Sequence, residues 1–367
     1  MEKKLIIFMP SIEGGGVEKN FFIISNYLAD KIKNVTLITA DQKFNKKFNK
    51  IKIINPKKIF NRDHGRIIKY LYCLIELIKI LLKNNKNLVL SFQANLYCII
   101  ISKILGSNII IRANSSPSGW AKNLFKRKIF TIILKFANSI IVNSQDLKVE
   151  FKNKFSVSAK CIYNPLDKKN IIKKSKENIN FSFFKKNTLK IITVGRLVDQ
   201  KDHLTLLKAL KIVKGKLRFS ALVIGSGIKD KILKKFIINN NLKKEIKIIK
   251  FQKNPYKYLK LADIFILSSK FEGLPNVLLE ALSLKKFVIS SDCLTGPREI
   301  LDSGKGGILF DKGNYKDLSK KIIYFYNNYN KNIIKKKKAY GYKRLFRFDY
   351  KLNLNKYLKL VIIHLNK

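Results

Sequence analysis

The feature that most constrains this chain is a repeated alternation. Short runs of β-branched and apolar residues are each followed by a polar or glycine-bearing loop and then a stretch with helical spacing. The first run, Leu5 to Met9, leads into Pro10-Ser11-Ile12-Glu13-Gly14-Gly15-Gly16 and an amphipathic segment from about Val17 to Leu28. Further runs follow at Val35–Thr39, Leu88–Ser91, Ile109–Arg112 and Ile140–Asn143, separated by enough residues for crossover helices. Strand, loop and helix in this rhythm specify a parallel sheet covered on both faces. The rhythm lapses after Asn164-Pro165 into a Lys- and Asn-rich stretch through Lys190, the expected linker. It resumes at Ile191–Val194, Ala221–Ile224, Ile246–Lys250, Ile264–Leu267 and Phe287–Ser290.

Two doubly wound α/β domains result, as a length of 367 residues also suggests. The expected division is an N-terminal domain over 1–170, a second over 185–347, and a final helix over 348–367. In that helix Tyr357, Leu358, Leu360, Val361 and Ile362 return to pack on the first domain. The apolar run after Met1-Glu2-Lys3-Lys4 is too short for a signal peptide, so a cytosolic chain is expected. Lys69, Glu76 and Lys79 interrupt Ile67 to Leu82, which reads as an amphipathic helix and not a membrane span. Cys73, Cys98, Cys161 and Cys293 show no CxxC spacing, and His64, His203 and His364 are dispersed, so neither disulfides nor a metal site are expected.

The formal charge of +52 comes from 76 Lys and Arg against 24 Asp and Glu. Such an excess raises a nucleic-acid or polyanion-binding protein as one reading. The lysines are spread along the whole chain, however, whereas a nucleic-acid footprint is clustered, so no nucleic-acid partner is expected. Only residues 66–83 and 116–135 alternate basic and apolar residues in a way that suits an anionic membrane surface, although a lysine-fringed core helix gives the same pattern.

In an open parallel sheet, ligands sit beyond the carboxyl ends of the strands, which directs attention to four loops. Gly15 and Gly16, with Gly14, would let a backbone approach a phosphate, although a tight turn alone accounts for them equally well. In Gly195-Arg196-Leu197-Val198-Asp199-Gln200-Lys201-Asp202, the cations Arg196 and Lys201 can straddle a diphosphate or be two solvated charges. In Phe271-Glu272-Gly273-Leu274-Pro275-Asn276, Pro275 suits the first turn of a helix whose opening amides would face an anion or a sugar hydroxyl. Glu272 precedes that helix and Glu280 lies on its second turn, amid Leu278-Leu279 and Ala281-Leu282. A charge in that setting needs a partner, and two carboxylates suit vicinal hydroxyls. The fourth loop, Ser290 to Ile300, turns through Gly296-Pro297 into another helix and can close the same pocket.

These residues resemble glycosyltransferase family 4, the retaining transferases of GT-B architecture, over almost the whole chain. Glu272 and Glu280 fall at the spacing of its E-x7-E signature, Gly195-Arg196 with Lys201 resembles its donor-phosphate motif, Gly225-Ser226-Gly227 its next strand-end turn, and the N-terminal glycines its first loop. The resemblance implies two Rossmann-like domains facing a cleft, a nucleotide-sugar donor (UDP-linked by family frequency) and no metal or other cofactor. It further implies that Arg196 and Lys201 neutralise the diphosphate, that Glu280 and the glycine-bearing loops hold the nucleotide, and that Glu272 with the amides following it orients the sugar. The absence of a DxD motif agrees with a metal-free scheme.

One departure concerns the segment Ile111-Arg112-Ala113-Asn114-Ser115-Ser116-Pro117, where many relatives carry a histidine and this chain has none. Arg112 and Asn114 become the acceptor-side candidates there. The run from Ser291 to Glu299 resembles bacterial members that extend lipid-linked or lipopolysaccharide glycans, implying a saccharide acceptor on a polyprenyl diphosphate at the inner face of the cell membrane. Rival readings within the same fold are an inactive nucleotide-sugar binder and an epimerase, the latter lacking assignable acid and base residues.

Overall fold

The computed structural model describes residues 3–12, 15–56, 65–115 and 123–366. The chain divides into two compact units, Met1–Pro165 with Tyr350–Lys367, and Leu166–Asp349.

In the first unit the elements run β1 (Leu5–Phe8), α1 (Gly16–Lys31), β2 (Val35–Ile38), β3 (Lys52–Ile54), α2 (Arg66–Lys83), β4 (Leu88–Ser91), α3 (Asn95–Ile104), β5 (Asn108–Ala113), α4 (Leu124–Lys135), β6 (Ser139–Val142), α5 (Gln145–Phe155) and β7 (Lys160–Cys161). The strands form one parallel sheet in the order β3-β2-β1-β4-β5-β6-β7. All four residues of β1 are fully buried, because a central parallel strand is covered by helices on both faces. One face packs on α2 through Cys73, Leu77 and Leu81, on α3 through Cys98 and Ile99, and on α5 through Leu147, Phe151 and Phe155. The other carries Phe21, Ile24 and Leu28 of α1. There they meet Leu354, Tyr357, Leu360 and Val361, so the last helix packs back on the N-terminal sheet, as its apolar spacing predicts.

The second unit runs α6 (Lys168–Ser175), β8 (Leu189–Val194), α7 (His203–Lys214), β9 (Phe219–Ile224), α8 (Asp230–Asn239), β10 (Ile246–Ile249), α9 (Tyr256–Leu261), β11 (Ile264–Leu267), α10 (Asn276–Ser283), β12 (Phe287–Ser291), α11 (Pro297–Ile300), β13 (Ile308–Phe310), α12 (Tyr315–Asn328) and α13 (Asn332–Lys343), and α14 (Tyr350–Leu365) then rejoins the first unit. Its parallel sheet has the order β10-β9-β8-β11-β12-β13.

The expected linker is only partly a linker. Residues 168–175 form α6, capped by the Asp167 carboxylate accepting from the Asn170 amide at 3.0 Å, and packed on α9 and α10. Ile171 is the one large apolar side chain this helix buries, too few for a periodic signal. Beyond it, Phe181 packs edge-on against Tyr258 at 5.2 Å between ring centroids. The strands β3, β7 and β13, which sequence reading overlooks, are edge strands of two or three residues, too short to alternate visibly.

Candidate functional site

In the second sheet, β8 and β11 are neighbours whose following connections leave in opposite directions, toward β9 and toward β12. Loops diverging from such a switch point leave a crevice at the carboxyl ends of the strands. The loop after β8 carries Gly195, Arg196 and Lys201, and that after β11 carries Glu272 to Asn276.

The two loops are joined chemically. Lys201 Nζ lies 2.6 Å from Glu272 Oε1, with both side chains largely buried. Ser269 Oγ donates to the same oxygen at 2.6 Å. The backbones are tied as well: the Lys270 amide donates to the Gln200 carbonyl (2.8 Å), Gln200 Nε2 to the Phe271 carbonyl (3.0 Å), and Ser268 Oγ to the Lys201 carbonyl (3.1 Å). Lys201 reaches this position through a 3-10 turn, Asp199–Lys201, that follows the fully buried Leu197. Arg196, by contrast, is exposed, with Nη2 3.5 Å from Gln200 Oε1. One loop therefore presents a fixed cation and a movable one.

The fourth loop closes on the third. The Glu272 amide donates to the Leu294 carbonyl (3.3 Å), Thr295 Oγ1 donates to the Glu272 carbonyl, and Ser291 Oγ donates to the Ser269 carbonyl (2.6 Å). Gly296, at φ +88°, lies against the Gly273 carbonyl, where a Cβ would collide with that oxygen and with the Pro275 ring. Gly225, at the end of β9, lies equally close to the Gly195 carbonyl. These contacts explain why glycine stands at both turns: each lets two strand-end loops touch through their backbones.

Glu280 is buried on α10, and Tyr256 of α9 donates its hydroxyl to Glu280 Oε1 at 3.1 Å. The expected partner for a carboxylate in apolar surroundings is thus present. Pro275 sits one residue earlier than expected, as the extended N-cap of α10, and the helix begins at Asn276. A proline ring fits there because its fixed φ leads the chain into the first turn. Leu274 is buried and Gly273 half-buried, so the run Gly273 to Asn276 lies at the carboxyl end of β11 and carries the positive end of the α10 dipole.

His203 opens α7 directly behind this loop. It is buried, and neither ring nitrogen makes a hydrogen bond of normal geometry. Burial, and secondarily the Lys201 charge, pushes its pKa down to about 4, against a weaker opposing effect of the Arg196 and Gly195 carbonyls. Burial beside the Glu272 carboxylate likewise pushes the Cys293 thiol up to about 12, leaving it a neutral packing group.

In the first unit, Gly15 is the extended N-cap of α1 and Gly16 its first residue, while Gly14 lies outside the described residues. The loop before them is held from two sides: the Ile12 amide donates to Asp41 Oδ2 (2.7 Å) and the Ser11 amide to Gln93 Oε1 (3.0 Å). Asp41 in turn forms a buried ion pair with Lys69 at 2.8 Å.

The acceptor-side candidates are placed otherwise than expected. Arg112 is fully buried and its guanidinium is directed inward: Nε donates to the Tyr357 hydroxyl (2.7 Å), Nη2 to Asn164 Oδ1 (2.7 Å) and Nη1 to Asn114 Oδ1. Its position on β5 explains this, because a central strand points alternate residues into the layer where α14 lies. Arg112 thus ties α14 and the end of the unit to the sheet, and Asn114 accepts from its guanidinium. The rest of that segment, from Ser116, lies outside the described residues, as do His64 and the portion 116–122 of the basic stretch. Among the described residues, no three His, Cys, Asp or Glu side chains cluster as a metal site, and no helix is long and apolar enough to cross a membrane.

Ser269, Thr295, Gln200 and Tyr256 are the site residues that sequence reading misses. Ser269 could have been found from its place in the Ser268-Ser269-Lys270 run after β11. Tyr256 could not, because nothing in its local sequence links α9 to α10.

Residues 174–344 match the family described as Glycosyl transferases group 1, so the second unit carries a group 1 glycosyltransferase domain. The chain is 32% identical over 255 residues to a glycosyltransferase of Methanocaldococcus jannaschii (MJ1059), covering 64% of this chain and 62% of that protein. It is 31% identical over 229 residues to the N-acetylgalactosamine-N,N'-diacetylbacillosaminyl-diphospho-undecaprenol 4-alpha-N-acetylgalactosaminyltransferase of Campylobacter jejuni, covering 59% and 60%. The matched region thus spans about three fifths of these relatives' length. Among solved structures, Anabaena Alr3699/HepE in complex with UDP superposes with a TM-score of 0.78 over 98% of this chain and 99% of that one, at 17% identity. The fold is that of the GT-B glycosyltransferases: two Rossmann-like parallel-sheet domains.

Proposed function

We propose that the protein is a retaining glycosyltransferase of family 4 that moves a hexose or N-acetylhexosamine from a UDP-linked donor to a saccharide acceptor, without a metal ion. The observation that carries this reading is the Lys201–Glu272 pair at the β8/β11 switch point, with Arg196 and Glu280 on the loops and helix around it. A nucleotide sugar presents two negative phosphates, a ribose diol and a hexose. The crevice presents two cations, a helix N-terminus and two buried carboxylates.

In this reading Arg196 swings from Gln200 onto the diphosphate, as a planar guanidinium on a long exposed side chain can. Lys201 holds one phosphate oxygen while Glu272 fixes its ammonium, and an ammonium has three donors to share. Glu280, steadied by Tyr256, accepts from the ribose hydroxyls. Glu272 and the amides from Gly273 to Asn276 orient the sugar. The bond between the anomeric carbon and the phosphate oxygen breaks as the acceptor hydroxyl adds on the same face, and the departing phosphate takes the acceptor's proton. Charge accumulates on the diphosphate in that transition state, so the fixed cation contributes most to the rate.

The Campylobacter relative's name describes a diphospho-undecaprenol substrate, which supports a polyprenyl-diphosphate-linked acceptor and work at the inner face of a membrane in bacterial cell-surface glycan synthesis. The solved neighbour with UDP supports the choice of nucleotide.

The test is a thermal-shift panel of nucleoside diphosphates and nucleotide sugars with EDTA present. Selective ligands stabilise the folded state by mass action, so UDP or a UDP-sugar raises the melting temperature, and Arg196→Ala loses the shift. If no nucleotide shifts the protein while polyanions do so in a salt-sensitive way, the transferase reading fails in favour of polyanion binding.

A further inference from the structure

The two basic and apolar segments singled out in the sequence are far apart along the chain, yet in the fold the first becomes α2 and the described part of the second becomes α4, on the same face of the first sheet. Between them stands α3, in contact with both. Each of the three helices buries one apolar stripe against the sheet and carries a second on its outer side.

On α2 the inward stripe is Cys73, Leu77 and Leu81, while Ile67, Leu71 and Ile75 recur every four residues on the outside, Leu71 at 57% exposure. On α3, Cys98 and Ile99 face the sheet while Tyr97, Ile100 and Ile104 face away, Ile104 at 77%. On α4, Leu134 is buried and Phe125, Ile129, Ile132 and Phe136 form the outer stripe, Phe125 at 69%. Spacings of three and four residues put each set on one line of its helix. Lys103 of α3 lies 5.9 Å from the Phe136 ring at the end of α4, so the stripes are joined laterally.

The charges on these helices have one sign. Arg66, Lys79 and Lys83 on α2, Lys103 on α3, and Lys126, Arg127, Lys128 and Lys135 on α4 are all exposed. Glu76 is the sole carboxylate on the three, and Lys79 neutralises it at 2.9 Å.

We propose that the outer face of α2, α3 and α4 is a docking surface for an anionic lipid bilayer, lying parallel to it, with the outer stripes entering the acyl boundary and the lysines and arginines at the phosphate level. A surface of this composition suits neither water alone nor a nucleic acid. Large aliphatic side chains exposed side by side on three helices mark an interaction face. Single-stranded nucleic acid is held by aromatic stacking platforms, whereas these stripes are mainly isoleucine and leucine. Long basic side chains can extend their ammonium and guanidinium groups to headgroups while their stems cover apolar surface. The surface deepens the membrane part of the proposed function but does not rest on sugar transfer, and its test has a separate readout.

That test is flotation of the full chain with phosphatidylcholine vesicles, with and without phosphatidylglycerol. The wild type is expected to float with the anionic vesicles and not with the neutral ones. Leu71→Glu with Ile129→Glu should reduce the floated fraction's partition constant by roughly tenfold or more, equivalent to about 1.4 kcal/mol. Ile232→Glu with Ile238→Glu, on the equally exposed outer side of α8, should leave it unchanged. All variants are compared at matched melting temperature, and the UDP thermal shift is recorded in parallel, so a failed donor site and a failed membrane surface are told apart. Absence of flotation on anionic vesicles overturns the proposal. So does an equal loss in the α8 variant, which would make binding a consequence of net charge. A dimer that dissociates in Leu71→Glu with Ile129→Glu, without vesicle binding, would instead assign the face to a second copy of the chain.

Discussion

Lys201 and Glu272, 71 residues apart in sequence, meet as an ion pair of 2.6 Å between the loops that leave adjacent strands at the centre of the second sheet. Their side chains are 15% and 7% exposed, so neither charge is well hydrated. Removing one partner leaves the other buried with little compensation, which costs more than the pair's net contribution. Lys201→Ala is therefore expected to destabilise the protein by about 3 kcal/mol, while Lys201→Ala with Glu272→Gln recovers a good part of that. Urea denaturation of the two single variants and the double variant checks this. Simple additivity would mean that the two charges do not depend on one another.

The Glu280–Tyr256 contact is a hydrogen bond to a buried carboxylate. Tyr256→Phe removes the donor while keeping the ring, at a cost of roughly 1.5–3 kcal/mol for a charged acceptor. Calorimetric titration should then show UDP affinity several-fold weaker than wild type. Unchanged affinity would remove Glu280 from the nucleotide site.

His203 gives the stability a defined pH dependence. Its folded-state pKa of about 4 lies below the ordinary 6.5 of an unfolded histidine, so the unfolded chain binds the proton more readily. Stability from the neutral ring is complete above about pH 6.5 and is lost as pH falls toward 4, by an amount on the order of 3 kcal/mol. Chemical denaturation of the wild type and of His203→Leu between these limits should show a steeper decline in the wild type. Parallel curves would mean that the ring takes up a proton in the folded protein as readily as in the unfolded chain.

Arg112 is expected to act through the last helix and not through a ligand. With three side chains bonded to its guanidinium, Arg112→Leu removes the hydrogen bonds to Tyr357, Asn164 and Asn114 and should cost about 3 kcal/mol. Limited proteolysis should then cut within 350–365 before the rest of the chain. A variant of wild-type stability with impaired sugar transfer would restore Arg112 to the acceptor site.

Much of this protein is legible in its sequence because parallel strands buried on both faces must be continuously apolar. Runs such as Leu5–Phe8 and Ile264–Leu267 need no knowledge of their neighbours to be recognised. The loops at their carboxyl ends are legible for the same reason: once the strands are placed, the glycines and charges that follow them have a position. The partners are not. That Lys201 faces Glu272, that Tyr256 donates a hydrogen bond to Glu280, and that Arg112 turns inward to Tyr357 depend on strand order and on helices brought together from distant parts of the chain. The helix α6 is not legible in its local sequence because it takes its stability from α9 and α10 and not from its own pattern. Local sequence determines which surfaces are apolar and where the backbone turns; only the tertiary structure decides which charges end up close enough, and dry enough, to act on one another.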